Sequence, residues 1–244
     1  MQKEYIIGIH SIQEALLSNT EIEKILVRKD NTNDAVKRLL QDANRLRIPI
    51  HKVPIDKINS ITRKNHQGII AFISSISYAS LDNIIHEIYH KGKEPLLLLL
   101  DRITDVRNFG AIARTAEGLG FHAIIIPSKG AALINREAMK TSAGALAHIA
   151  VCRVKSLKST IQYLKNNGIH ILACTEKSDD MLYHKNLTGP LTLVIGSEFD
   201  GISRDILEVC DDRVKIPMFG NISSYNVSVS MAIVGSEIVR QRNT

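Results

Sequence analysis

The sequence predicts an α/β protein in two parts. A small α/β unit spans residues 1–75, a linker spans 76–94, and a larger domain with a mostly parallel sheet spans 95–244. Three observations carry this. Short apolar runs recur after Pro95 with helical stretches between most of them, the pattern of strands buried on both faces. Residues 1–75 alternate strand-like and helix-like segments of their own. Between the two, residues 74–80 are small and polar, and residues 91–95 (Lys-Gly-Lys-Glu-Pro) are a cluster of breakers.

In the first unit, residues 12–17 have a short helical pattern and 24–28 read as a strand. Residues 34–46 place apolar side chains at Ala35, Val36, Leu39, Leu40, Ala43 and Leu46, which is helical spacing. Residues 48–53 and 68–74 read as further strands, and 81–89, inside the linker, suit one short helix. In the second part the apolar runs are 96–100, 123–126, 149–154, 169–174 and 191–195.

Hydrophobic residues make up 44% and charged residues 23%, which is ordinary globular usage and excludes wholesale disorder. No apolar run approaches the roughly 20 residues that span a membrane, and residues 1–5 carry both charge signs with no signal-peptide core after them. The protein therefore reads as soluble and cytoplasmic. Cys152, Cys174 and Cys210 form no C-x-x-C pair, so neither a disulfide framework nor a metal site is expected. The net charge is +6. Residues 1–79 hold twelve basic and eight acidic side chains, so the first third carries most of the excess and is a candidate for gripping a polyanion.

The common α/β chemistries lack their fingerprints. A dinucleotide site needs G-x-G-x-x-G after the first strand, but residues 101–110 read Asp-Arg-Ile-Thr-Asp-Val-Arg-Asn-Phe-Gly. Gly118 and Gly120 end a helix, as a C-cap does. No P-loop, H-E-x-x-H or G-x-S-x-G is present.

Polar residues and glycines gather instead in three stretches: 108–120, 193–202 and 216–230. In the first, Asn108 is a candidate cap for a helix beginning near Gly110, and Arg114 follows among apolar neighbours, where it needs a partner or a cleft. In the second, a buried strand ends in Gly196-Ser-Glu198, at the end of a parallel strand where open sheets place ligands. Glu198 has two readings: a ligand or arginine partner, or a carboxylate at the start of a helix over 203–209. In the third, Ser223 or Ser224 is a candidate N-cap, and with Asn226 they supply several donors and acceptors. His122 and His148 flank strands without an evident carboxylate partner and read as structural. His66 lies between Asn65 and Gln67 and suits either ligand contact or a turn.

These three stretches, in this order and spacing, resemble the signature motifs of the SpoU/TrmH family of SPOUT RNA 2′-O-ribose methyltransferases over about 95–244. Gly8-Ile-His10, then Asn65-His66-Gln67-Gly68, resemble the L30e-like substrate-binding domain of the RlmB-like branch, which methylates a guanosine 2′-hydroxyl in 23S ribosomal RNA. Two positions depart from the family pattern: Phe199 replaces the glycine after Glu198, and Tyr225 stands where leucine is usual.

The resemblance implies an α/β-knot domain with a C-terminal trefoil knot, a homodimer with its active site near the interface, and S-adenosylmethionine as methyl donor. It places the cofactor at Ile195, Gly196, Ile216, Met218 and Tyr225, and the chemistry at Asn108, Arg114, Glu198 and Asn226. Ser223, Ser224 and His66 are the candidates for substrate contact. A guanidinium keeps its proton, so Arg114 is expected to position the RNA and stabilise alkoxide charge. Three functions follow in order: methylation of large-subunit ribosomal RNA, methylation of transfer RNA, and a non-catalytic RNA-binding assembly factor.

Overall fold

The computed structural model describes residues 5–18 and 20–243; Met1–Glu4, Asn19 and Thr244, and with them most of the reading of residues 1–5, lie outside the described residues. Its contacts divide the chain into Met1–Ser77 with Leu133–Arg136, and Tyr78–Ala132 with Glu137–Thr244.

The first unit runs β1 (Tyr5–Ile7), α1 (Ile9–Leu17), β2 (Ile22–Arg28), α2 (Asp34–Arg45), β3 (Ile50–Val53), α3 (Ile55–Asn59) and β4 (Ile69–Ile73). Its sheet has the order β1-β4-β2-β3, with β4 antiparallel to both neighbours and β2 parallel to β3. Successive side chains of a strand point to opposite faces, and both faces are covered. Ile25, Val27, Ile69 and Ala71 pack with Ile12 of α1 and Leu39 of α2, while Leu26 and Ile70 pack with Ile58 of α3. This is why Ile25, Leu26 and Val27 stand consecutively in the middle of β2. The sequence reading missed β1 and α3, which are too short to show a period.

The second unit runs α4 (Leu81–His90), β5 (Leu96–Leu100), α5 (Val106–Gly118), β6 (Ala123–Pro127), α6 (Arg136–Thr141, its first residue grouped with the first unit), β7 (Ala150–Val154) and α7 (Leu157–Asn166). It continues with β8 (His170–Cys174), β9 (Leu191–Ile195), α8 (Arg204–Leu207), β10 (Asp212–Val214) and α9 (Val227–Arg242). The sheet order is β10-β8-β9-β5-β6-β7, and every neighbouring pair is parallel. Every residue of β5 is buried, as a central strand covered on both faces requires.

The segment 76–94 is not a bare linker. It holds α4, whose Ile85 and Ile88 share a core with Leu97 and Leu99 of β5. The polar flanks at 74–80 and 91–95 suggested a connector, yet the apolar stripe between them needed a partner.

From β5 the chain builds β6 and β7 on one side, whereas β8, β9 and β10 occupy the other. The carboxyl ends of β5 and β9 thus form a topological switch point, the place where open α/β sheets leave a crevice.

Candidate active site

At that end of the sheet lies a cavity of about 260 Å³. Cys174, Thr175 and Glu176 leave β8 to form one wall. Ile195, Gly196, Ser197, Glu198, Phe199 and Gly201 form a second. Ile216, Met218, Ser223, Ser224 and Tyr225 come from the segment between β10 and α9, and Val227 and Ser230 come from α9 itself. All five expected cofactor positions and both expected serines therefore line one space.

Gly196 is required there by its neighbours. A Cβ at this position would sit 2.2 Å from Gly201 C and Ile202 N, so the strand end and the returning chain touch main chain to main chain. The return is held from beneath. Buried Asp101 accepts from the Ser203 amide at 2.7 Å, and Arg102 donates to Gly201 O at 3.1 Å and to Asp200 at 3.2 Å.

Asn226 joins the motifs. It is the N-cap of α9: its Oδ1 accepts from the Ser228 amide at 2.9 Å and from Ser228 Oγ at 2.6 Å. The Ser228 amide fixes which end of the Asn226 side chain is oxygen, so Nδ2 faces the other way. It donates to Glu198 Oε1 and, at 3.2 Å, to Asn108 Oδ1. One side chain from each of the three polar stretches thus meets at Asn226. The cap is Asn226, not Ser223 or Ser224, and the serines are left to the cavity wall.

Asn108 likewise does not cap its helix. Asp105 does, accepting from the Arg107 and Asn108 amides at 2.9 and 2.8 Å. Helix α5 therefore begins at Val106, and Asn108 is freed to bind Asn226. Glu198 is not a dipole carboxylate of the following helix, since α8 is only Arg204–Leu207 with Ser203 before it.

Arg114 stands apart. It is exposed, does not line the cavity, and has no hydrogen bond or ion pair among the described residues. Six residues beyond Asn108, it points about 120° away around a helix of ~3.6 residues per turn. His66, in the first unit, is held in its turn: Nδ1 accepts from the Gly68 amide at 3.0 Å, and Nε2 lies 3.0 Å from Asn59 Oδ1. His122 is structural as expected, its Nδ1 accepting from the Leu96 amide at 3.1 Å.

Sequence reasoning missed Cys174, Thr175 and Glu176. The signal was available, because they follow a parallel strand as Gly196 does, but no glycine marked the turn. Burial and the nearby Glu176 carboxylate push the Cys174 thiol up to about 12, so it is protonated at neutral pH and no nucleophile.

Among the described residues the lining has no Lys, Arg or His and has two carboxylates, Glu176 and Glu198. Such a wall repels phosphate and suits a ligand that is partly apolar and carries positive charge. Apolar Ile195, Ile216, Met218 and Val227 with the hydroxyls of Ser223, Ser224 and Ser230 complete an amphiphilic surface.

Comparison with known proteins gives two family matches. A model described as the SpoU rRNA Methylase family matches residues 95–236, and one described as RNA 2′-O ribose methyltransferase substrate binding matches residues 5–79. A Staphylococcus saprophyticus protein assigned to the TrmH family of tRNA/rRNA methyltransferases is 36% identical over 244 residues, covering 100% of this chain and 98% of that one. YacO of Bacillus subtilis, assigned to the same family, is 33% identical over 99% of this chain and 97% of its own. Among solved structures, the SpoU methyltransferase AviRb from Streptomyces viridochromogenes, in complex with AdoMet, superposes with a TM-score of 0.61 at 24% identity. That match covers 97% of this chain and 89% of AviRb.

Proposed function

The chain belongs to the SpoU methylase family of S-adenosylmethionine-dependent RNA methyltransferases, and from that premise we propose that it methylates a ribose 2′-hydroxyl, in a guanosine of large-subunit ribosomal RNA. The observation that carries the reading is the meeting of Asn108, Glu198 and Asn226 beside a cavity lined by Ile195, Gly196, Ile216, Met218 and Tyr225.

The donor set fits S-adenosylmethionine. Two carboxylates and no lining cation favour a sulfonium, and the apolar walls favour a nucleoside. When bound, it supplies a methyl group already activated by positive charge.

The chain's own task is to place the hydroxyl and take its proton. Alignment of two bound reactants is worth roughly 7–11 kcal/mol of barrier. Asn226 has no capacity left for substrate, since its oxygen accepts twice and its amide hydrogens go to Glu198 and Asn108. It is a positioning residue. Glu198 Oε2 and Asn108 Nδ2 remain without partners among the described residues. The carboxylate oxygen accepts the hydroxyl hydrogen bond, and the amide donates to the oxygen as negative charge develops. Exposed Arg114, turned away from the cavity of its own chain, stabilises that charge in the site of a second copy of the chain. The homodimer, with active sites near its interface, belongs to the same proposal.

The test is methyl transfer from labelled S-adenosylmethionine to separate ribosomal and transfer RNA pools, with mapping of the product. Label at a large-subunit guanosine 2′-oxygen is the expected result, abolished by Arg114→Ala and partly kept by Arg114→Lys. Label in transfer RNA alone would overturn the substrate, a reading that relatives assigned to tRNA/rRNA methylation keep in view. Failure to bind S-adenosylmethionine would favour a non-catalytic RNA-binding factor.

A further inference from the structure

We propose, resting on the RNA methyltransferase reading, that Phe199 is a stacking platform for an unpaired base of the substrate RNA and sets how tightly that RNA is held. Phe199 lines the cavity and follows Glu198 directly, yet its side chain is left 93% exposed. A phenyl ring of this size is normally buried. Its exposure does not come from slack chain. Ser197 and Gly201 exchange two main-chain hydrogen bonds of 3.0 Å, and the Phe199 amide donates to Ser197 Oγ at 3.2 Å. Arg102 braces the far side of the turn through Asp200 and Gly201 O. The fold therefore spends five polar contacts on displaying this ring beside the site.

The chemistry of the site names the occupant. The methyl acceptor is a ribose hydroxyl held at Glu198, so the base attached to that ribose or to its neighbour comes within one residue of position 199. Proteins that read single-stranded RNA splay such bases onto aromatic faces, a contact every base can make. A lysine or arginine at 199 would pair with Glu198 and neutralise it, whereas a phenyl ring grips a nucleotide and leaves Glu198 Oε2 open to the hydroxyl. Phe219 and Ile222 are also exposed but do not line the cavity, which separates them from this role.

The experiment is steady-state methyl transfer by Phe199→Ala, Phe199→Leu and Phe199→Tyr, with S-adenosylmethionine affinity read by calorimetry and molar mass by light scattering. The alanine and leucine variants should raise KM for RNA about 5- to 100-fold, the scale of one lost stacked base. Cofactor affinity and mass should hold, and tyrosine should restore KM. An unchanged KM in Phe199→Ala, full function in Phe199→Leu, or a change of mass in Phe199→Ala would each overturn the proposal. If wild-type protein transfers no methyl group, the enzymatic reading fails on its own. RNA binding by the same variants then decides the stacking: affinity that follows the aromatic ring supports it, and affinity indifferent to position 199 overturns it.

Discussion

At the scale of single residues, Asn226 carries two duties that substitution can separate. Its oxygen caps α9, and its amide nitrogen holds Glu198 and Asn108. Serine is as good an N-cap as asparagine but has no amide to bridge the other two side chains. Asn226→Ser should therefore melt close to wild type and lose most methyl transfer. Asn226→Ala should lose the same activity and about 1 kcal/mol of stability as well. Thermal denaturation beside a transfer assay reads both quantities, and an active Asn226→Ser would show that the bridge is dispensable.

At the scale of elements, the end of α9 ties the second unit together. Gln241 accepts from the Leu187 amide and donates to Lys185 O, and Arg242 donates to Pro95 O and Gly189 O. Within the helix, Arg240 and Gln241 donate to Glu237 and hold its carboxyl down to about 2. In an unfolded chain the same group titrates near ~4.3. A depressed carboxyl contributes stability that is present above the unfolded value and is lost as pH falls through the folded one. Between about pH 4.5 and 2, wild type should thus lose more unfolding free energy than Glu237→Gln in denaturant titrations. Equal losses would remove Glu237 from the acid response. Helix α4 makes the complementary point: an amphipathic helix between polar flanks belongs to whichever core takes its stripe, here that of β5.

At the scale of the whole molecule, the stretch from Phe219 to Val229 leaves apolar side chains in water. Phe219 is 99% exposed and Ile222 74%, with Tyr225 and Val229 also open. Along α9, Ala232 and Ile233 share a surface hollow with exposed Tyr183. A face of this kind marks an interaction surface, and it adjoins the segment that forms the cavity wall. The proposed homodimer should appear in light scattering as twice the chain mass at micromolar concentration. Ile222→Glu should shift it toward monomer, and a wild-type monomer would end the proposal.

The sequence by itself determined the alternation of buried strands and helices, because apolar periodicity is local and each of the five runs after Pro95 became a strand. It also marked the polar stretches that the fold brings together, since Gly196, Glu198, Asn108 and Asn226 break the apolar pattern visibly. What only the tertiary structure decided is which side chains meet. The three-residue strands β1 and β10 exist through pairing with β4 and β8, and no local period announces them. The cap of α9 went to Asn226 and not to a serine, because only an amide satisfies its own helix with oxygen and two remote motifs with nitrogen. The wall at Cys174–Glu176 became a wall through the strand order that sets β8 beside β9. Local sequence carries propensity, while hydrogen-bond partners more than a hundred residues away, such as Asn108 and Asn226, are chosen by topology.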